Sequence, residues 1–230
     1  MIEKYLESTN LKENAGWKDI RDLVKEAIEL NVYGVCTYLH WSGIVNKNAV
    51  GSNLKKIYVI GFFTGDVRKI ERDLFYVKTS GGDEFDLVFP LALLANINTK
   101  NEKCPYTALI RKTLANVRKE TEGKILKVII ETNVLREMTS PEERIKEAIQ
   151  FCEEAKVDII KTNTGMFPRR IPIQLDVTEI KKHTQLPIKA AGGIKEYQLA
   201  KVLVDMGVAR IGTSNAKTII EEEGKANEKT

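Results

Sequence analysis

The chain has 230 residues, enough for one large domain or two small ones. Hydrophobic residues make up 43% and charged residues 30%, a balance that excludes disorder over most of the length. The net charge of +4 is spread over interleaved acids and bases, as in KDIRDLVKEAIE, which argues against a nucleic-acid partner.

In chain order the pattern alternates helix and strand. WKDIRDLVKEAIEL places Ile20, Leu23, Val24, Ala27 and Ile28 on one face at helical spacing. NVYGVCTYL and KIYVIGFF read as buried strands. DVRKIERDLFYVK returns to helical spacing, closed by Gly81-Gly82, and EFDLVFP (84–90) is the next strand. PYTALIRKTLANV (105–117) is a helix and LKVIIET (126–132) a strand. In SPEERIKEAIQFCEEAK, Ser140 is expected to cap the helix, with Pro141 in its first turn and Glu143 completing a capping box. Then come the strand VDIIKT, a weaker helix near 174–182, the strand LPIKAA and the helix IKEYQLAKVLVDM, stopped by Gly207. The strand ARIGTS follows, then a short helix and the charged tail EEEGKANEKT.

Seven strands are clear, and a short eighth fits KYLESTNL. Apolar, non-alternating strands joined by helices imply a parallel sheet covered on both faces. Eight such units give a single (β/α)8 barrel domain over residues 1–230, with a charged tail from about Glu221. An open doubly wound sheet is the alternative, disfavoured because no GxGxxG follows the first strand. Cys36, Cys104 and Cys152 form no CxxC pair and there are two histidines, so no metal site is expected. Scattered cysteines, no signal-peptide pattern in MIEKYLEST and no apolar run longer than LVFPLALLA point to a soluble cytoplasmic protein without a membrane partner.

Lys161 in DIIKTNTG and Lys189 in PIKAAGG interrupt apolar strands, although burying an ammonium is costly. They are 28 positions apart, one strand–helix–strand unit, which puts them at the C-terminal ends of neighbouring strands, where barrels carry function. Two like charges in one mouth disfavour the charged form of one of them, and a neutral lysine is a nucleophile towards carbonyls. The alternative is a solvated or carboxylate-paired lysine. Asp86 interrupts its strand in the same way, as a proton-transfer group or a plain counter-ion, whereas Asp83 and Glu84 are expected to cap or face solvent. Gly192-Gly193 and Gly212-Thr213-Ser214 each join a strand to a helix, where barrels commonly bind phosphate, with Gly165 and Lys195 as further candidates.

DIIKTNTG resembles the IKTSTG segment of deoxyribose-phosphate aldolases. PIKAAGGIKEYQLAKVLVDMGVARIGTS is similar to that family's KAAGGI…GA.RIGTS block, GDEFDLVFPLAL to its DE[IV]D[MV]V segment and LKVIIETNVL to its KVIIETG.L strand. IYVIGFFTG, YGVCTYL and LESTNLK match more loosely, and the likeness is collinear over residues 5–216. It implies a class I aldolase on a (β/α)8 barrel that cleaves 2-deoxy-D-ribose 5-phosphate, needs no metal or organic cofactor and forms a homo-oligomer. Lys161 would be the Schiff-base lysine, Lys189 the second lysine and Asp86 the acid/base. Phosphate would sit on Gly165, Gly192, Gly193, Lys195, Gly212, Thr213 and Ser214. The sequence departs from the family at Glu7, at Tyr38-Leu39, at Asn163 and at Met166, where some relatives carry a lysine and where Arg169 or Arg170 would have to compensate. Cys36 reads as core packing, and His40 and Trp41 as an exposed loop pair. A class I aldolase or transaldolase-like enzyme for another phosphorylated sugar, and a non-catalytic sugar-phosphate-binding barrel, remain as alternatives.

Overall fold

The computed structural model describes residues 1–97, 104–169 and 171–228. Eight parallel strands close into a barrel, each hydrogen-bonded to the next and β1 also to β8. They are β1 Leu6–Thr9, β2 Gly34–Tyr38, β3 Lys55–Ile60, β4 Glu84–Val88, β5 Ile125–Ile129, β6 Ile159–Lys161, β7 Ile188–Ala191 and β8 Arg210–Thr213. The main covering helices are α1 Trp17–Glu29, α2 Ser42–Asn48 and α3 Val67–Val77, then, after the short α4 Leu91–Ala95, α5 Pro105–Glu120. After the single turn α6 Thr132–Leu135 come α7 Pro141–Glu154, α8 Ile173–His183, α9 Tyr197–Asp205 and α10 Ala216–Asn227.

Strand parity divides the core in two. Outward residues such as Val35, Tyr58, Ile60, Phe85, Leu87, Leu126, Val128 and Ile160 pack against the apolar stripes of the helices, for example Ile145, Ala148 and Ile149 of α7. Burial of such stripes is the main stabilising term of the fold. Cys36, Ile57, Val59, Val88 and Ile129 form a separate inner cluster with Leu11 and Phe62. Other inward positions of β1 and β4–β7 carry charge: Glu7, Glu84, Asp86, Lys127, Lys161 and Lys189, all buried. Register fixes their relative heights, with Asp86 opposite Lys127 and Lys161 opposite Lys189.

Three local expectations are corrected. Ser140 precedes α7 with φ +56°, and in that left-handed conformation its side chain makes no capping hydrogen bond, so the capping box does not form. Glu84 does not face solvent; it points into the barrel at the start of β4, while Asp83 accepts a hydrogen bond from the Lys56 N–H at 2.9 Å. The expected tail from Glu221 continues α10 as far as Asn227, where Glu222 accepts the Tyr197 N–H at 2.7 Å and Glu223 the Ile2 N–H at 3.1 Å.

Candidate active site

Lys161 and Lys189 meet on one atom. Lys161 Nζ donates to Asp86 Oδ2 at 3.0 Å and Lys189 Nζ donates to the same oxygen at 2.6 Å. Lys189 also donates to Glu7 of β1. Beneath them Lys127 Nζ lies 3.0 Å from Asp86 Oδ1, 2.5 Å from Glu84 Oε2 and 3.3 Å from Glu7 Oε1. The Tyr33 hydroxyl donates to Glu84, and the Arg210 guanidinium lies 3.6 Å from the Tyr33 ring centre. Three lysines thus share three carboxylates, the kind of full compensation that buried charges require.

This pairing changes what two adjacent lysines would do by themselves. Burial works against the Lys189 ammonium, but Asp86 and Glu7 outweigh it and hold its pKa above the ordinary lysine range. Lys127 follows the same pattern: burial opposes its charge, and Asp86, Glu7 and Glu84 raise its pKa well above normal. Burial also opposes the Asp86 carboxylate, and the three lysines, Lys127 foremost, hold its pKa well below the usual carboxylate range. Cys36 Sγ is 3.9 Å from Asp86, and burial pushes its thiol up to about 11, so it acts as packing. Glu7, Cys36 and Asp86 bring ligand atoms within 4.8 Å of one another, but the cations paired with the two carboxylates are lysine ammonium groups.

The TNT stretch after Lys161 carries one tether per residue. Thr162 Oγ1 donates to the Ala191 carbonyl and accepts the Ala191 N–H, both at 3.0 Å, locking the ends of β6 and β7 together. Asn163 Oδ1 accepts from Thr132 Oγ1 at 3.0 Å and from the Asn133 N–H at 3.1 Å. The Thr164 N–H and hydroxyl both donate to Glu131 Oε2, at 2.8 and 2.5 Å. These tethers lay Gly165 (φ +86°) on Gly192 (φ +104°), where a Cβ on Gly165 would come 3.6 Å from the Gly192 Cα. On the next turn Thr213 Oγ1 donates to the Ile194 carbonyl at 2.6 Å and accepts the Asn215 N–H at 2.9 Å.

A cavity of about 630 Å³ opens on this cup. Lys161 lines it, together with Gly165, Gly192, Gly193, Lys195, Gly212, Thr213 and Ser214. Asp86 and Lys189 do not line it; Asp86 accepts hydrogen bonds from Lys161 and Lys189 beneath it. Gly212 has an additional reason to lack a side chain: a Cβ there would come 3.1 Å from Lys189 Cε. Arg169 lines the same cavity, while Arg170 lies outside the described residues. His40 is exposed and Trp41 partly so, on a single 3-10 turn after β2.

Sequence reasoning missed Lys127, Glu84 and the role of Glu7 as a partner of Lys189. Lys127 carried the signal that revealed Lys161, a lysine inside an apolar strand, here LKVII.

No family model matches the chain. It is 31% identical over 226 residues to the deoxyribose-phosphate aldolase of Aquifex aeolicus, covering 96% of this chain and 95% of the relative. With the deoxyribose-phosphate aldolase of Thermococcus kodakarensis it shares 34% identity over 232 residues, 96% of each chain. Among solved structures, the aldolase QR15 superposes with a TM-score of 0.84 at 29% identity, covering 99% of this chain and 97% of that one. A lysine pair sharing one aspartate at the C-terminal end of a closed parallel barrel, and full-length likeness to these enzymes, make the chain a member of the deoxyribose-phosphate aldolase family.

Proposed function

We propose that the protein is a class I aldolase that reversibly cleaves 2-deoxy-D-ribose 5-phosphate to D-glyceraldehyde 3-phosphate and acetaldehyde, with Lys161 as the Schiff-base lysine. One observation carries the assignment of roles: of the three buried lysines, Lys161 is the one that lines the cavity. In its amine form Lys161 adds to the aldehyde carbon of the open-chain sugar, and a proton delivered to the carbinolamine hydroxyl by the Asp86–Lys189 pair lets water leave and an iminium remain. The iminium nitrogen carries one positive charge and one N–H, so it can pair with Asp86 as the free lysine does. The iminium accepts electrons as removal of the proton from the 3-hydroxyl breaks the C2–C3 bond, releasing glyceraldehyde 3-phosphate and leaving an enamine. Protonation of the enamine carbon and hydrolysis free acetaldehyde and restore the amine. Asp86, which accepts hydrogen bonds from both Lys161 and Lys189, and Lys189 are the proton-transfer pair, directly or through water.

The phosphate end of the sugar belongs in the cup of Gly165, Gly192 and Gly193, closed by Gly212, Thr213, Ser214 and Lys195, where left-handed glycine turns let backbone approach an anion closely. The buried thiols of Cys36, Cys104 and Cys152 fit a reducing, cytoplasmic setting. Among the described residues no helix is long and apolar enough to cross a membrane. A homo-oligomer is the assembly we infer, with Phe75 (81% exposed) and Tyr76 on α3 as a surface for a second copy; light scattering in solution tests it.

Borohydride trapping tests the chemistry. Deoxyribose 5-phosphate plus borohydride should leave a mass adduct on Lys161 that is absent in Lys161→Ala. An adduct on Lys189 would exchange the two roles. No adduct with this sugar or with acetaldehyde would point to another phosphorylated sugar or to a non-catalytic binder.

A further inference from the structure

We propose that Arg169 is the side chain that reads the charge of the substrate's phosphate group, and so sets the preference of this enzyme for phosphorylated over unphosphorylated sugars. The inference rests on the reading that the cavity takes a phosphorylated aldehyde sugar. Arg169 lies in the segment after the Thr164–Gly165 turn, in a stretch that departs from the family pattern. Phe167 anchors that segment by an edge-on contact with Phe63, ring centres 6.0 Å apart. The guanidinium then lies against the Gly193 turn. A Cβ on Gly193 would come 3.2 Å from Nη2, 3.6 Å from Cζ and 3.9 Å from Nε, so much of the fork rests on the space glycine leaves.

Two features mark this cation as waiting for an anion. Arg169 Nη2 is buried and has no hydrogen-bond partner among the described residues. A buried donor without an acceptor is costly, and a guanidinium more so than a neutral amide. Asp176 acts on Arg169 electrostatically but forms no ion pair with it: Arg136 holds the Asp176 Oδ1 at 2.8 Å, and the buried Oδ2 has no hydrogen-bond partner among the described residues. The free fork faces a cavity that also contains Lys161 and the three left-handed glycines. A phosphate monoester dianion suits it in charge and in geometry, since guanidinium and phosphate pair through two parallel N–H···O bonds. Lys195, the cation expected from the sequence, is exposed on the same rim. Met166 is also exposed, so the charge at this end of the cavity has moved from the turn itself to a side chain that reaches back over it.

The test compares wild type, Arg169→Ala, Arg169→Lys and Lys195→Ala. Two quantities are measured: KM and kcat for deoxyribose 5-phosphate, and the binding of inorganic phosphate, followed by competitive inhibition and by the rise it causes in melting temperature. Arg169→Ala should raise KM and the phosphate inhibition constant together by roughly 10- to 100-fold, the effect of losing a charged hydrogen bond, with the loss in KM rather than kcat. The ratio of kcat/KM for phosphorylated over unphosphorylated deoxyribose should fall by the same factor. Arg169→Lys should recover part of the loss, since it restores charge without the fork. Lys195→Ala should lose less than Arg169→Ala. The assignment is overturned if Arg169→Ala leaves KM and phosphate binding within about twofold of wild type, or if it lowers kcat at constant KM. It is also overturned if wild type gains no thermal stability from inorganic phosphate. A wild type that is inactive on the sugar, yet stabilised by phosphate only while Arg169 is present, would retain the anion site and refute deoxyribose 5-phosphate as the substrate. Should Arg169→Ala fail to fold, Arg169→Gln and Arg169→Lys carry the same comparison.

Discussion

Lys127 and Lys161 interrupt adjacent strands in the same manner and point into the same barrel, yet they end in different surroundings. Lys127 sits in the lower half of the interior, among Glu7, Glu84 and Asp86. Lys161 sits one inward position higher, where Asp86 is its one ion-pair partner among the described residues, through an oxygen shared with Lys189. The lower lysine is saturated with counter-charge and sealed from the cavity; the upper one is under-paired and lines it. A lysine inside an apolar strand therefore does not by itself mark a nucleophile. Its share of carboxylate and its access to the cavity decide which role it takes.

Substitution should separate the two most sharply in rate. Lys161→Met should lower kcat by about a thousandfold or more, the scale of loss when a covalent nucleophile is removed, while melting close to wild type in calorimetry. Lys127→Met should do the reverse in emphasis, costing about 3–5 kcal/mol of stability because three carboxylates lose their common cation. Denaturant titration measures that cost, and a Lys127→Met protein as stable as wild type would dissolve the distinction.

The pH dependence of stability sharpens the comparison further. The folded Asp86 has a pKa below its unfolded value of about 3.9, so its stabilising contribution is complete above that pH and is lost as pH falls towards the folded pKa. Lys127 and Lys189 have folded pKa values above their unfolded value of about 10.4, so their contributions are complete below it and are lost as pH rises towards the folded values. Thermal unfolding should show a plateau between about pH 4 and 10, falling on both sides. In Lys127→Met the Asp86 part of the acid-side fall should be smaller and should end at higher pH, because the foremost cause of the Asp86 depression is gone. The smallest effect concerns Cys36. With its thiol held at about 11, it should resist iodoacetamide in the folded protein at neutral pH and react after unfolding, as read by mass spectrometry.

The helices and the barrel were legible because helical stripes such as Ile145, Ala148 and Ile149 repeat locally. Lys161, Lys189 and Asp86 were legible because each breaks an apolar run. Glu84 was not, since it stands at the first residue of β4, where a charge reads as solvated until the register shows that it faces inward. The Ser140 cap failed because sequence spacing gives the residue types of a capping box but not the backbone conformation that would aim the side chain. The fork of Arg169 against Gly193 brings together residues 24 positions apart, and no local pattern encodes such a contact.

The order of the interior charges along the chain has a consequence of its own. Glu7, Glu84 and Asp86 all belong to β1–β4, and Lys127, Lys161 and Lys189 all belong to β5–β7. Cut between α5 and β5, near Gly123, where a glycine Cβ would meet nothing within 4 Å, the protein becomes two fragments, one with an acidic seam and one with a basic seam. Each seam repels its own copy and attracts the other. Co-expressed, the fragments should reassemble with each other in preference to themselves, so the same charges that equip the mouth of the barrel also specify which half closes onto which.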